Sequence, residues 1–288
     1  VTATLIPNLK LNTWTWQGHQ IPYTVMGSGK PLLLIHGFGA SIGHWRKNIP
    51  VLADRGYKVF AMDLLGFGGA AKPAENYSLE LWQKQIKDFW EAQIQEPTVF
   101  IGNSIGGLLT LMVMSDYPEI TRGGVLINCA GGLNFRPNEL NLPLRLMMGV
   151  FTKLVSSPIT GKLMFNNIRN KKRIRNTLYQ VYQNREAVTE ELVDILYQPS
   201  CDPGAQQVFA SVLTAPPGPT PKELLPKLQH PLFVLWGEED PWTPITVTGI
   251  YQELPNAEFH PIPNAGHCPH DEKPKVVNEL IVNWLSQV

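Results

Sequence analysis

Long apolar runs, cysteine pairs and an excess of charge of either sign are all missing from this 288-residue chain. No stretch approaches the roughly 18 to 20 apolar residues that a bilayer-spanning helix needs. The N-terminus shows no charged region followed by an apolar segment, so a soluble or peripheral protein is expected. Three cysteines, Cys129, Cys201 and Cys268, are an odd number without metal-ligand spacing. That pattern suits reduced thiols packed in or near the core of a cytoplasmic protein better than a disulfide framework. Lys and Arg number 24, as do Asp and Glu, for a formal net charge of zero. Without a global positive field, nucleic acid is not an expected partner. Internal repeats and low-complexity segments are lacking too.

What is present is a chain 43% hydrophobic and 17% charged, long enough for one large α/β core with an insertion. Leu11 to Trp16 and Ile21 to Met26, flanking Gln17-Gly18-His19-Gln20, read as an edge hairpin. Pro31 to Ile35, Tyr57 to Met62, Thr98 to Ile101 and Gly124 to Asn128 read as strands, the first of them continuously apolar like parallel strands covered on both faces. Helices are expected from Trp45 to Leu52, from Ser78 to Ile94 and after Ser104, which implies right-handed crossovers in a parallel sheet. The alternation then stops. Between about Gly132 and Pro226 only helical segments are expected, near Leu140 to Val155, Ile174 to Asn184 and Thr189 to Tyr197. Strands resume at Leu232 to Trp236 and Glu258 to Ile262, with helices over Pro244 to Leu254 and Pro274 to Leu285. The expected division is a core of residues 1–131 and 227–288 with a helical lid at 132–226.

The chemistry centres on Gly102-Asn103-Ser104-Ile105-Gly106, set between a strand and a helix. A turn that passes straight from strand to helix strains its central residue and needs small residues two before and two after. Ser104 is therefore the candidate nucleophile. Its hydroxyl needs a base, and the base needs an acid to fix its tautomer. His267 lies just past the last strand and Asp240 just past the preceding one, both at the sheet edge where Ser104 sits. The rival acids are Glu238, Glu239 and Asp63; Asn128, at a strand end, cannot be one. The rival bases are His36, His44 and His270, with His36 read as packing beneath the turn it opens. Two donors are needed for an oxyanion, and the backbone N–H groups of Phe38 and Ile105 are the natural pair. Serine as nucleophile argues against dehalogenase or epoxide chemistry, which needs a carboxylate. No metal, nucleotide or other cofactor is implied.

His36-Gly37-Phe38-Gly39, the Asp63 loop, Gly102 to Gly107, Trp236 to Asp240 and Gly266-His267 together resemble the α/β-hydrolases over nearly the full chain. That resemblance implies a mostly parallel sheet with helices on both faces and an inserted helical lid. Finer segments, Gly39 to Trp45, Asp63 to Gly68, Asn128 to Gly132, Pro216 to Pro219 and Gly266 to His270, resemble the chlorophyll dephytylase and pheophytinase branch of plants and cyanobacteria. One departure is Gly69-Ala70-Ala71, where serine or aspartate is common after the glycine. The resemblance implies a small apolar substrate, the phytyl ester of chlorophyll or a derivative, and a place in the cytoplasm or on the periphery of the thylakoid membrane. Candidate substrate contacts are His44 and the lid residues Met147, Met148 and Phe151, with the apolar run from Leu142 to Val155 as a groove or membrane contact. Arg169 to Arg175 is either a hold on an anionic membrane or a solvated helix face. The alternatives are a carbon–carbon bond hydrolase of ring-cleavage products, a general carboxylesterase and, least favoured, a receptor that has kept the fold.

Overall fold

The computed structural model describes residues 9–134, 152–155, 157 and 159–288. Eight strands form one sheet: β1 (Leu11–Trp16), β2 (His19–Met26), β3 (Pro31–Ile35), β4 (Lys58–Met62), β5 (Thr98–Asn103), β6 (Thr121–Ile127), β7 (Leu232–Gly237) and β8 (Ala257–Ile262). Their spatial order is β1-β2-β4-β3-β5-β6-β7-β8. The first two pairings, β1 with β2 and β2 with β4, are antiparallel, and the rest are parallel. Positive φ at Gln17 and Gly18 gives the β1–β2 turn the twist that a two-residue hairpin requires.

The apolar strands are buried on both faces because helices cover both. Leu33, Ile35, Phe100, Leu126, Val234 and Trp236 join one core, packed by α2 (Leu79–Gln93) and α3 (Ile105–Asp116). Their neighbours Leu34, Val99, Ile101, Val125 and Leu235 join the other, packed by α1 (Ile49–Asp54) and the closing helix, which is Pro274–Leu285. Each such side chain stabilises the fold by about 1.5 to 3 kcal/mol. Because α3 packs against β5 and β6 and beside α2, every residue from Ile105 to Met114 is buried. Ser104 thus stands at the start of a helix enclosed along most of its length.

Between β6 and β7 the described residues form helices and no strand: α4 (Thr160–Ile168), α5 (Lys171–Val181), α6 (Glu190–Ser200), α7 (Ala205–Thr214) and α8 (Pro221–Leu224). Two of these were expected: α5 starts earlier than the apolar pattern suggested and α6 one residue later, each directly after the capping residue that sets its origin. Asn170 Oδ1 accepts from the N–H groups of Lys172 and Arg173, and Thr189 Oγ1 accepts from Leu192 N–H. Neither α4 nor α7 was expected. Most of the expected helix from Leu140 to Val155 lies outside the described residues, as do Met147, Met148 and Phe151.

Three expectations need correction. The segment from Trp45 to Leu52 is not one helix but a 3-10 turn at Ile42–Trp45 followed by α1, because Pro50 lacks the N–H to continue a helix and instead opens a new one. The expected helix from Pro244 to Leu254 breaks into a 3-10 turn at Ile245–Val247 and the single turn α9 (Gly249–Gln252). Ile245, Thr246, Val247, Thr248 and Gly249 are weak helix formers in succession. Cys201 is exposed at the end of α6, whereas Cys129 and Cys268 are buried. The chain closes with α10 (Pro269–Glu272) and α11 (Pro274–Leu285).

Candidate active site

Ser104 occupies the turn from β5 into α3 with φ 57° and ψ −121°, a conformation that costs energy for any residue with a Cβ. The neighbouring glycines make it possible. A Cβ on Gly102 would come within 2.0 Å of Gly106 O, and one on Gly106 within 2.2 Å of Ile35 O. The turn is also tied to the end of β6: Ser104 N–H donates to Ile127 O at 3.0 Å, and Ala130 N–H donates to Ser104 O at 3.1 Å. The serine is thereby held at the positive end of a twelve-residue helix.

The structure brings Asp240 and His267 together at the carboxyl ends of β7 and β8. His267 Nδ1 lies 2.6 Å from Asp240 Oδ2, which leaves Nε2 as the basic nitrogen. Asp240 takes three further donors. Asn128 Nδ2 reaches Oδ2 at 2.8 Å, Trp242 N–H reaches Oδ1 at 2.8 Å, and the Thr243 hydroxyl also bonds Oδ2. Burial pushes the carboxyl up. The hydrogen bond and charge of His267, with the bonds from Thr243 and Trp242, outweigh it and hold Asp240 below its ordinary value. The rival acids are placed otherwise. Glu238 and Glu239 are exposed, and Asp63 accepts the N–H groups of Ile42 and Gly69.

Asn128 cannot be the acid, but its place matters. With φ 43° it turns back so that its amide donates to Asp240 while its Oδ1 accepts Gly237 N–H at 2.9 Å. The signal in the sequence is an asparagine at a strand end, a residue that tolerates left-handed backbone. Asn103 is a second such residue. Its Nδ2 donates to His267 O at 3.0 Å and Ile127 O at 3.1 Å, tying the histidine loop to the serine strand.

Among the described residues no acceptor takes the N–H of Phe38, and Ile105, first in its helix, has no carbonyl one turn behind it. Both expected oxyanion donors are thus available beside Ser104. A pocket of about 380 Å³ opens over Ser104 and His267. Its walls include Phe38, Phe165, Ile168, Leu178, Val208 and Phe209, and Trp242 stands edge-on to the His267 ring at 5.1 Å. Phe209 bridges the inserted helices to the core, 6.2 Å from Phe38 and 5.4 Å from Phe165. Among the described residues no cluster of His, Cys, Asp and Glu could hold a metal ion.

The three rival histidines are built into the frame. His36 is buried, its Nδ1 donating to Gly37 O at 2.8 Å and its Nε2 accepting from Leu64 N–H at 3.0 Å. His44 does line the pocket, but its Nε2 is 2.9 Å from Tyr182 Oη, whose hydroxyl donates to the buried Asp271. Arg46 and Lys47 pair with the same carboxylate. His270 packs against the rings of Trp45 and His44. The same region hooks the inserted helices onto the loop that carries His267. His267 N–H donates to Val181 O at 2.8 Å, and Glu272 accepts N–H groups from both Gly266 and Asn184.

These buried rings set the acid limit of the fold. Burial pulls both His36 and His44 down to about 4, and His270 well below its ordinary value. In the unfolded chain each binds a proton near pH 6.5, so the native state loses stability as pH falls from about 6.5 towards 4. For His36 and His44 the loss is at most about 3 kcal/mol apiece. Asp63, pushed up to about 6 by burial, acts in the opposite sense over about pH 4 to 6. Three histidines outweigh it. The melting temperature is expected to fall steadily between pH 7 and pH 4.5 in calorimetry, and a flat or rising profile would contradict this account.

A model of the alpha/beta hydrolase family matches residues 32–280. The chain is 29% identical to the chloroplastic pheophytinase of Arabidopsis thaliana over 89% of its own length. It spans only 61% of that protein. It is 27% identical to a 2-hydroxymuconate semialdehyde hydrolase of Pseudomonas, covering 91% of this chain and 88% of that one. Among solved structures, a meta-cleavage product hydrolase from Pseudomonas fluorescens superposes with a TM-score of 0.77 at 27% identity, over 96% of this chain and 97% of the other.

Proposed function

Because this chain belongs to the alpha/beta hydrolase family, and hydrolysis is the coarse activity it shares with its relatives, we propose that it is a serine hydrolase of carboxylic esters with a long apolar alcohol. The leading substrate is the phytyl ester of chlorophyll or a derivative. In this reading Ser104 Oγ attacks the ester carbonyl while His267 Nε2 takes its proton, and Asp240 orients and stabilises the imidazolium. The N–H groups of Phe38 and Ile105 receive the oxyanion. Its collapse expels the alcohol, which leaves with the proton from His267, and an acyl group remains on Ser104. A water molecule, deprotonated by the same histidine, then releases the acid and restores the serine.

The observation that carries the choice of substrate is the wall of the pocket. Phe38, Phe165, Ile168, Leu178, Val208 and Phe209 offer an apolar lining directly above the serine, and each CH₂ moved from water onto such a surface gains roughly 0.8 kcal/mol. The resemblance to a pheophytinase supports the same class. A second reading, cleavage of a carbon–carbon bond in a ring-cleavage product, is favoured by one feature: Arg169 and Arg173 also line the pocket and could take a substrate carboxylate. Incubation with pheophytin a, chlorophyll a, a p-nitrophenyl ester and a ring-cleavage dienoate, with product identification, separates the two.

A substitution sharpens the test. Phe209→Ser removes an apolar side chain from the pocket wall, at about 1.5 to 3 kcal/mol. The ratio of phytyl-ester to short-ester kcat/KM is expected to fall at least about tenfold, since a short ester reaches little beyond the serine. An unchanged ratio at an unchanged melting temperature removes Phe209 from tail binding.

A further inference from the structure

The helix α4 has two unlike faces. Its inner face is committed, with Phe165 against Phe209 of α7 and Ile168 at the pocket. A Cβ on Gly161 would come within 2.1 Å of Val155 O, so that side is packed tightly. On the outer face Ile159 and Leu163, one helical turn apart, are 74% and 65% exposed, and the nearby Leu154 is 43% exposed. Apolar side chains so exposed and so close together lose free energy in water unless something covers them.

The charge around them says what does. Nine of the 24 Lys and Arg residues, and none of the 24 Asp and Glu residues, fall between positions 140 and 185. A chain with no net charge therefore concentrates positive charge in its inserted helices. Lys171 and Arg175 are paired with Asp194 and Glu190. Lys153, Lys162, Lys172 and Arg173 are exposed and have no acidic partner among the described residues.

We propose that the outer face of α4, with Lys153, Lys162 and Lys172 around it, docks on an anionic lipid bilayer. Apolar side chains flanked by unpaired cations match the boundary between acyl chains and negative headgroups. A second copy of this chain would instead bring like charge against like. Docked this way, the bilayer lies against one side of α4 and the pocket against its other side. The surface stands on exposure and charge; its use in delivering a membrane-borne ester to Ser104 rests on the function proposed above.

Sedimentation of the full chain with vesicles tests the surface. Binding is expected to vesicles of phosphatidylcholine mixed with phosphatidylglycerol, weaker binding to phosphatidylcholine alone, and loss of the difference at high salt. Ile159→Asp with Leu163→Asp should lower binding at least about tenfold, with short-ester kcat/KM and melting temperature unchanged. Lys162→Glu with Lys172→Glu should weaken binding only to the anionic vesicles. A wild type that ignores both vesicles, an aspartate variant that binds as well as wild type, or a wild-type dimer that the aspartates dissolve would each overturn the proposal. Vesicle binding without phytyl-ester turnover keeps the surface and overturns the ester reading. Turnover of a detergent-dispersed phytyl ester without vesicle binding does the reverse.

Discussion

Ser104→Ala is expected to lower kcat for ester hydrolysis by about 10⁴ to 10⁶ while leaving the melting temperature in place. The first half follows from the chemistry: without Oγ no acyl-enzyme forms, and only the pocket and the oxyanion donors remain to assist water. The second half follows from the turn. Alanine keeps the Cβ that the φ 57° backbone already accommodates, and the hydroxyl makes no hydrogen bond to the described residues whose loss would weaken the fold. A steady-state assay with a p-nitrophenyl ester beside a thermal melt checks both. A variant that keeps a tenth of the wild-type rate would remove Ser104 from the role of nucleophile.

Asp240→Asn should cost about 10⁴ in kcat. The carboxylate accepts four donors, from His267, Asn128, Thr243 and Trp242. An amide presents one oxygen in place of two, so at least one of those donors must face an N–H₂ group. The negative charge that steadies the imidazolium is lost as well. Glu239→Gln is the control, because Glu239 is exposed and one residue away. It should change kcat less than twofold, an effect within about 0.4 kcal/mol. If Glu239→Gln were the more damaging of the two, the acid would have been misassigned.

Much of this was legible in the sequence because the signals are local. Thr98 to Ile101 is a buried strand from composition alone, and Gly102 and Gly106 bracket Ser104 at the only spacing the turn permits. Asp240 and His267 could be placed because each directly follows a strand of a parallel sheet, so both must emerge at the edge that carries the serine. The residues that were missed act across the chain. Asn128 meets an acid 112 positions away and His44 a tyrosine 138 positions away, pairings that no periodicity encodes. The helices α4 and α7 escaped for another reason. The exposed Ile159 and Leu163 blur the apolar stripe of the first, and the second begins after Gly204, whose φ of 88° gives a start without a side-chain cap.

The hydrogen bond from His267 N–H to Val181 O has a consequence for anyone who would exchange parts between relatives of this fold. The inserted helices look detachable in the sequence, a block spliced between β6 and β7. In space, the end of α5 and the residues after it are seated on the loop that carries His267. Gly266 is wedged so closely against Val181 O that a Cβ there would come within 2.0 Å. Tyr182 reaches His44 and Asp271, and Asn184 shares Glu272 with Gly266. A chimera that imports another protein's insertion while keeping this chain's His267 loop would seat foreign backbone at that contact. To graft a new specificity cleanly, the stretch from Val181 to Asn184 and the stretch from Gly266 to Glu272 must travel together as one heritable unit.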